Sequence, residues 1–197
     1  MWAGGEMVFL APLTIGAQIT RESAIQAIEE KQGNSGRLCF VTVQHDISAD
    51  GRPVLRESQH IVYRDPPAPD AAAPAAQDPA PPGAHIRHID PTPTMLFRYS
   101  ALTFNGHRIH YDAPYARDVE GYDGLVVHGP MQATLMAQMA ADVQGRPPTR
   151  FRYRGKSPLF AGNPFTVNAA PAQSGMSLWT AGTDGPVAMQ AEAFWDS

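Results

Sequence analysis

The stretch HGPMQATLMAQMAADVQG (residues 128–145) decides the fold. Its larger apolar side chains recur at the spacing of one helix face: Met131, Leu135, Met136, Met139 and Val143. Pro130 suits the first turn of a helix, where a missing N–H costs nothing. Gly145 and the prolines beyond it end the pattern. The stretch therefore predicts a helix of about four turns.

Four strands are predicted after this helix, at 149–156, 164–169, 176–181 and 187–195, with turn residues between them. A short strand is also predicted before it, at 94–99. One long helix followed by an antiparallel meander is an α+β arrangement, in which the sheet covers a single helix. The C-terminal part of the chain therefore predicts an α+β fold.

The N-terminal part has the pattern of strands, without a convincing long helix. Residues 18–31 alternate loosely, residues 37–47 are strongly β-prone, and residues 53–63 follow a hairpin turn at 49–51. The letters ESAIQAIEEK (22–31) also suit a helix by propensity. A strand is favoured there because its neighbours form a meander.

Residues 64–83, RDPPAPDAAAPAAQDPAPPG, contain no large apolar side chain. Such a segment cannot bury enough surface to fold by itself. We therefore expect a flexible linker at 64–84, which divides the chain into an N-terminal domain (1–63) and a C-terminal domain (85–197).

The motif Pro-Leu-x-x-Gly occurs twice, at Pro12, Leu13 and Gly16 and at Pro158, Leu159 and Gly162. The similar strand series that follow favour a duplicated domain over coincidence. A helix precedes the second copy, whereas only eleven residues precede the first. We therefore expect the first domain to lack its opening strand and helix. Either the chain is an N-terminally shortened version of a longer protein, or it belongs to a family with naturally short first domains.

Composition excludes several classes of protein. The net charge of −4 argues against a nucleic-acid partner, which needs a clustered basic surface. No apolar run approaches the roughly 20 residues of a membrane span, and the N-terminus lacks the pattern of a signal peptide. The lone cysteine, Cys39, lies in an apolar run and is interpreted as a buried structural thiol. A reducing compartment is predicted, either the cytoplasm or, in a eukaryote, the mitochondrial matrix.

Residues 97–136 concentrate polar chemistry beside the start of the predicted helix. They include three of the seven histidines: His107, His110 and His128. An imidazole can take and return a proton near neutral pH. The carboxamide of Asn105 can orient a water but cannot act as a base. Gly129, at the helix N-terminus, offers backbone N–H groups and the positive end of the helix dipole to a developing negative charge.

Three motifs resemble those of a known family: TFNGHRIHYD at Thr103–Asp112, LVVHGP at Leu125–Pro130 and the turn at Pro158–Gly162. They are similar to the hydroxyacyl-thioester dehydratase type 2 and mesaconyl-CoA hydratase branch of the MaoC-like hydratases. The resemblance covers the whole chain, including Met1–Gly5. It implies an α+β double hot-dog fold, with an antiparallel sheet wrapped on a long central helix and an incomplete first hot-dog.

The resemblance also implies a hydro-lyase that reversibly hydrates an enoyl thioester of CoA or acyl-carrier protein. Candidate substrates are a medium-chain 3-hydroxyacyl thioester and the mesaconyl/citramalyl pair. It gives His110 the acid/base role, Asn105 the water or hydroxyl, and Gly129 the thioester carbonyl. The general hydratase motif has an aspartate where this chain has Asn105, so Asp112 is a candidate replacement carboxylate. Two alternatives stand: a hot-dog thioesterase, and a non-catalytic acyl-binding module.

Other residues carry two interpretations each. His107 either takes part in the site or packs beside it, and His128 either supports the site or caps the helix. The basic side chains Arg150, Arg152, Arg154 and Lys156 are either a solvated strand face or contacts to the phosphates of CoA or the carrier. The methionines of the helix are expected in the core, with an acyl pocket as the alternative. No metal site or cofactor is predicted, and a homodimer is expected.

Overall fold

The computed structural model of the chain describes residues 2–33, 36–64 and 77–196. Within these ranges nine strands form one antiparallel sheet. The strands are β1 (Trp2–Phe9), β2 (Ile19–Gly33), β3 (Gly36–Ala49), β4 (Arg52–Arg64), β5 (His85–Ile89), β6 (Arg150–Gly155), β7 (Phe165–Ala172), β8 (Gly175–Gly182) and β9 (Val187–Phe194). The helices are α1 (Pro93–Thr103), α2 (Ala113–Asp118) and α3 (Gly129–Gln144), with a one-turn 3-10 helix at Arg108–His110.

The order of the strands shows an internal duplication. The sheet runs β2-β3-β4-β1-β6-β9-β8-β7-β5. Read outward from the central β1–β6 pair, β1-β4-β3-β2 mirrors β6-β9-β8-β7. The two Pro-Leu-x-x-Gly turns also match, because Gly16 and Gly162 both have positive φ, at 93° and 82°. This symmetry is what the repeated sequence motif predicts.

The predicted strands of the first half are confirmed, including the ambiguous 22–31 stretch, which lies in β2. The hairpin between β3 and β4 turns through Asp50 and Gly51, both with positive φ. The prediction missed β1, because Gly4 and Gly5 have low strand propensity. A side chain on Gly4 would lie 2.5 Å from the Tyr153 carbonyl oxygen, and one on Gly5 would lie 2.4 Å from the Ser58 carbonyl oxygen. Glycine is required where β1 lies between β4 and β6.

The long helix predicted at 128–145 is confirmed as α3, which packs on β6, β7, β8 and β9. Gly145 ends it in the left-handed conformation, with φ of 76°. Burial alternates along β6, where Phe151 and Tyr153 face the core and Arg152 and Arg154 face outward. Three methionines of the helix, Met131, Met136 and Met139, are buried in the core. The predicted α+β fold and the core position of these methionines are confirmed.

The short strand predicted at 94–99 is wrong, because these residues lie in α1. Thr92 caps this helix, its Oγ1 accepting from the Met95 N–H at 3.2 Å, and Pro93 occupies the first turn. A capping threonine followed by proline is a helix-start signal that outweighs the β-prone letters after it. The strand β5, which pairs with β7, was not predicted.

The predicted linker at 64–84 is described only in part, because residues 65–76 lie outside the described residues. Its last residues lie against the second half of the sheet. The Ala80 N–H donates to the Gly185 carbonyl at 2.8 Å, and the Trp179 indole N–H donates to the Pro81 carbonyl at 3.0 Å. Residues 77–84 are therefore held by the C-terminal part rather than free of it.

The first half leaves open the face that α3 covers in the second half. Cross-strand partners point to the same face, and one row runs through Tyr153, Gly5, Gln59, Val43 and Ile25. Tyr153 is 3% exposed, whereas Ile25 is 64% exposed. Within residues 2–33 and 36–64 the structure contains strands and loops but no helix.

No helix within the described ranges is long and apolar enough to cross a membrane.

Candidate active site

The three histidines of the central segment, His107, His110 and His128, meet at the N-terminal end of α3. The chain before this helix is held on two sides. The Val126 N–H donates to the Ile109 carbonyl at 2.9 Å, and the Val127 N–H donates to the Leu159 carbonyl at 2.8 Å. The 3-10 helix and the second Pro-Leu-x-x-Gly turn thus fix the approach to α3, and with it the position of His128.

His110 has the geometry of a base with one free nitrogen. Its side chain is buried, with 7% of the residue exposed, and its Nδ1 lies 2.7 Å from the Val126 carbonyl oxygen. A carbonyl only accepts, so Nδ1 carries the proton and Nε2 keeps its lone pair. Burial lowers the pKa of His110, and the nearby His107 charge lowers it further, against the Val126 hydrogen bond, which raises it. The lowered pKa favours the neutral form of His110, which can accept a proton.

His128 lies directly against His110. The two rings stack with their centroids 3.7 Å apart and their planes 19° apart. His128 is fully buried, and its Nε2 forms a hydrogen bond of 2.8 Å with Ser100 Oγ. His128 occupies the N-cap position of α3, as the capping interpretation predicts, but its side chain makes no capping hydrogen bond to the helix. Burial, followed by the charges of His110 and His107, lowers the pKa of His128 to about 3.

His107 and Asn105 lie at the exposed side of this cluster. The exposed His107 ring meets His110 edge-on, with centroids 5.6 Å apart. The half-buried Asn105 accepts the His107 N–H at its Oδ1, at 3.1 Å. The side-chain oxygen Oδ1 of Asn105 is thus used within the local turn. The side-chain NH₂ group of Asn105 is what can hold a water or a substrate hydroxyl.

Asp112 is engaged elsewhere. Its Oδ2 accepts from both Nε and Nη2 of Arg108, at 3.0 and 2.7 Å, and its Oδ1 caps α2 by accepting from the Tyr115 N–H. These contacts, the Arg108 hydrogen bond first, lower the pKa of Asp112. Both oxygens are used for local structure, which argues against Asp112 as the replacement carboxylate.

Gly129 is covered by a side chain from the first half of the chain. A Cβ on Gly129 would lie 2.6 Å from the ring of Trp2, so a side chain cannot be added there without displacing the indole. Trp2 in turn stacks on Tyr153, with ring centroids 4.5 Å apart. The start of β1 therefore reaches the N-terminus of α3, and both halves contribute to the surroundings of the candidate site.

The structure does not bring the basic strand residues to this cluster. Along β6 the arginines alternate with Phe151 and Tyr153, which face the core under α3, so they leave from the opposite face of the sheet. Arg152 is paired with Glu6, and the guanidinium group of Arg150 lies 4.5 Å from the centroid of the Phe194 ring. Lys156 follows the end of the same strand and is exposed.

The sequence interpretation missed two residues of the site, Ser100 and Trp2. The strand predicted at 94–99 gives no reason to expect Ser100 in the site, whereas in α1 this serine is buried. The Thr92–Pro93 start signal could have revealed the helix. Trp2 carries no sequence signal, since its contact depends on how the two halves of the sheet join.

The chain is similar over most of its length to proteins of one family. Residues 1–161 match the model of the family described as hydroxyacyl-thioester dehydratase type 2. The chain is 44% identical over 191 residues to the mesaconyl-C(4)-CoA hydratase of Chloroflexus aurantiacus, an alignment covering 97% of this chain and 68% of that protein. It is 42% identical over 86 residues to the mitochondrial hydroxyacyl-thioester dehydratase type 2 of Schizosaccharomyces pombe, covering 42% of this chain and 29% of that protein.

Solved structures share the fold at low sequence identity. HtdX of Mycobacterium tuberculosis superposes with a TM-score of 0.78 at 17% identity, covering 100% of this chain and 76% of that one. A MaoC-like dehydratase of Phytophthora capsici gives 0.73 at 17% identity, covering 100% and 72%. A M. tuberculosis protein described as having a double hot-dog fold gives 0.62 at 11% identity, covering 98% and 74%. The predicted double hot-dog fold is confirmed.

Proposed function

The chain belongs to the hydroxyacyl-thioester dehydratase type 2 family, a family of hydro-lyases, and we propose that His110 is its acid–base residue. The reaction is the reversible addition of water across the α,β double bond of an enoyl thioester. One observation carries the assignment of His110. Its ring is buried beside the N-terminus of α3, with Nδ1 hydrogen-bonded to the Val126 carbonyl and with no hydrogen bond to Nε2 from the described residues.

In the hydration direction, the Nε2 of His110 takes a proton from water while the water oxygen bonds to Cβ of the enoyl group. The electron pair of the double bond moves toward the thioester carbonyl, whose oxygen gains negative charge as an enolate. The protonated His110 then returns its proton to Cα, which completes the addition of one water molecule. The lowered pKa of His110 favours the neutral base at the start of this cycle.

The first turn of α3 has the groups to stabilise the enolate oxygen. The N–H groups at a helix start have no partners within the helix, and the dipole places partial positive charge there. His128 does not occupy them, since its side chain makes no capping hydrogen bond. Gly129 therefore provides the donor for the carbonyl oxygen, and the amide of Asn105 orients the attacking water.

Thioester hydrolysis through a serine nucleophile is the alternative reaction for this fold, and two observations disfavour it. Such a reaction needs an accessible hydroxyl and a base that activates it. The Ser100–His128 pair has the composition of a nucleophile and its base, but Ser100 is only 6% exposed. An imidazole with a pKa of about 3 is also too weakly basic to activate a hydroxyl.

The mesaconyl/citramalyl-CoA pair is the substrate to test first, because the 44% identical relative is named a mesaconyl-C(4)-CoA hydratase. Other enoyl thioesters, on CoA or on acyl-carrier protein, form the wider class. Contacts between Arg150, Arg152, Arg154 or Lys156 and the phosphates of such a carrier stay a prediction, as does a location in the cytoplasm or mitochondrial matrix.

Homodimerisation also stays a prediction. The open face of the first half, which includes Ile25 and Ile28 at 64% and 63% exposure, gives a second copy an apolar surface to cover. Light scattering coupled to size-exclusion chromatography measures the mass in solution.

Hydration of mesaconyl-CoA and of crotonyl-CoA, followed by the loss of enoyl absorbance, tests the proposed reaction. Replacing His110 by alanine is expected to lower kcat by about 10²- to 10⁴-fold. His88→Ala, on the exposed strand β5, is the matched control and should leave kcat unchanged. Full activity of His110→Ala would contradict the acid–base role of His110. Release of free CoA without prior hydration would favour a thioesterase, and binding without turnover an acyl-binding module.

A further inference from the structure

Two further buried side chains, Ser100 and His128, form a column with the His110 ring. Ser100 on α1 forms a hydrogen bond of 2.8 Å with Nε2 of His128, and the His128 ring stacks on His110 at 3.7 Å. All three residues are buried, at 6%, 0% and 7% exposure. The column thus connects α1, the N-terminus of α3 and the 3-10 helix at the point where the proton is transferred.

Each contact restrains His110 in a different way. The Nδ1 hydrogen bond to Val126 fixes one atom of the ring but permits the ring to tilt about that bond. A flat neighbour 3.7 Å away, nearly parallel, blocks the tilt. His110 lies on a single 3-10 turn, which is a weak support by itself. The direction in which Nε2 points therefore depends on the His128 ring.

The His128 ring is itself held by Ser100. Its Nδ1 has no hydrogen-bond partner within the described part of the chain. Among the described residues, the hydrogen bond from Ser100 therefore sets the orientation of the His128 ring. The Tyr99 ring packs at a tilt against the His128 ring, with centroids 4.8 Å apart. Loss of the Ser100 hydroxyl should therefore free the ring to rotate.

The neutrality of His128 also matters for the reaction. During turnover His110 carries a positive charge while it holds the proton. A second charge stacked at this distance would oppose that state strongly in a buried site. Burial holds the pKa of His128 at about 3, so the ring supplies a flat surface without a charge.

We propose that His128 and Ser100 are positioning residues, which together hold the His110 ring in the plane needed for proton transfer. This inference rests on the proposed function. A displacement of about 1 Å in a catalytic group can cost about 10²-fold in rate. The expected loss therefore falls on kcat, because neither residue is assigned a contact with substrate.

The test compares Ser100→Ala, His128→Ala and His128→Phe in the full chain, with mesaconyl-CoA and crotonyl-CoA as probes. His128→Ala should lower kcat by about 10²-fold with KM changed less than about twofold. His128→Phe keeps a flat ring and should retain more activity than His128→Ala. Ser100→Ala, which frees the ring but keeps it, should also lower kcat, by less than His128→Ala does. Ser174→Ala, in the exposed turn between β7 and β8, is the matched serine control.

The pH dependence of kcat/KM distinguishes a positioning role of His128 from a role in stability alone. A cavity under His110 in His128→Ala admits water and weakens the desolvation that lowers the pKa of His110. The acid limb of kcat/KM should therefore move to higher pH, toward 6.5. Unchanged kcat and an unchanged acid limb in folded variants would overturn the inference. If His128→Ala does not fold, kcat and the acid limb of kcat/KM are measured in Ser100→Ala instead, and the same outcomes apply. Retained activity of His110→Ala would instead contradict the proposed function itself.

Discussion

The two halves of the sheet share one strand plan but differ in what lies on them. In the second half α3 packs across β6, β7, β8 and β9, and the side chains beneath it are nearly fully buried. In the first half the equivalent face carries Ile25 and Ile28 in the open, and residues 2–33 and 36–64 form no helix. Strand pairing therefore forms both halves of the sheet. Only the second half has a helix packed on it, and this helix gives that half a buried core and the candidate site.

The difference also locates the chemistry. The buried imidazoles, the serine beneath them and the free N–H groups of α3 depend on one helix and the loop that precedes it. The first half reaches this region through Trp2 on Gly129 and through Glu57, which accepts the Tyr153 hydroxyl at 3.1 Å. The proposed catalytic groups therefore lie in the second half of the chain, and the first half contributes contacts to their surroundings.

The largest effect should come from removing a side chain under α3. Leu178 on β8 is 1% exposed, so Leu178→Ala is expected to cost about 2–5 kcal/mol in the free energy of unfolding. Ile25→Ala in the first half should cost less than about 1 kcal/mol, because that side chain is already in solvent. Urea unfolding followed by circular dichroism measures both. Equal losses would show that the first-half face is covered in solution.

A smaller effect is expected where the halves touch. Gly129→Ala places a methyl group against the Trp2 ring and should cost about 1–3 kcal/mol through overpacking. Trp2→Ala removes that obstacle, so the double variant should recover part of the loss. A double-mutant cycle in urea measures the coupling. Strict additivity of the two changes would contradict a direct contact.

The buried histidines should make stability sensitive to acid. The pKa of His128 falls from 6.5 in the unfolded chain to about 3 in the folded chain, so the unfolded state binds more protons between these values. The contribution of His128 to the free energy of unfolding is then fully present above pH 6.5 and is lost as the pH falls toward 3. The slope is about 1.4 kcal/mol per pH unit for one proton.

Unfolding of the wild-type chain and of His128→Phe, measured from pH 4 to pH 7.5, isolates this contribution. Carboxylates titrate in both proteins, so only the difference between the curves belongs to His128. The variant should show the flatter curve below pH 6.5. Parallel curves would mean that His128 is not held neutral by burial.

The smallest predicted effect concerns the hydrogen bond between the halves. Tyr153→Phe removes the hydroxyl that donates to Glu57 and should cost about 1 kcal/mol. Tyr63→Phe, on the exposed end of β4, is the matched control and should have little effect. Thermal unfolding compares the two. No difference between them would show that the bond across the halves contributes nothing to stability.

The sequence by itself determined the local elements and the identity of the chemistry. The 3.6-residue period placed α3 correctly, and the alternation and turn residues placed seven strands: β2, β3, β4, β6, β7, β8 and β9. The TFNGHRIHYD and LVVHGP motifs identified the family and singled out His110. These signals are local, since helix periodicity, capping and turn chemistry depend on residues close in sequence.

Only the tertiary structure decided which of these residues act together. Asp112 was a candidate for the missing carboxylate, but both its oxygens are used by Arg108 and Tyr115. The Ser100–His128–His110 column joins residues up to 28 positions apart, through a helix that propensity alone misread as a strand. Burial sets the pKa of both imidazoles, and burial depends on packing between distant segments. Alternation likewise defines two faces on every strand, but only the placement of α3 decides which face becomes a core.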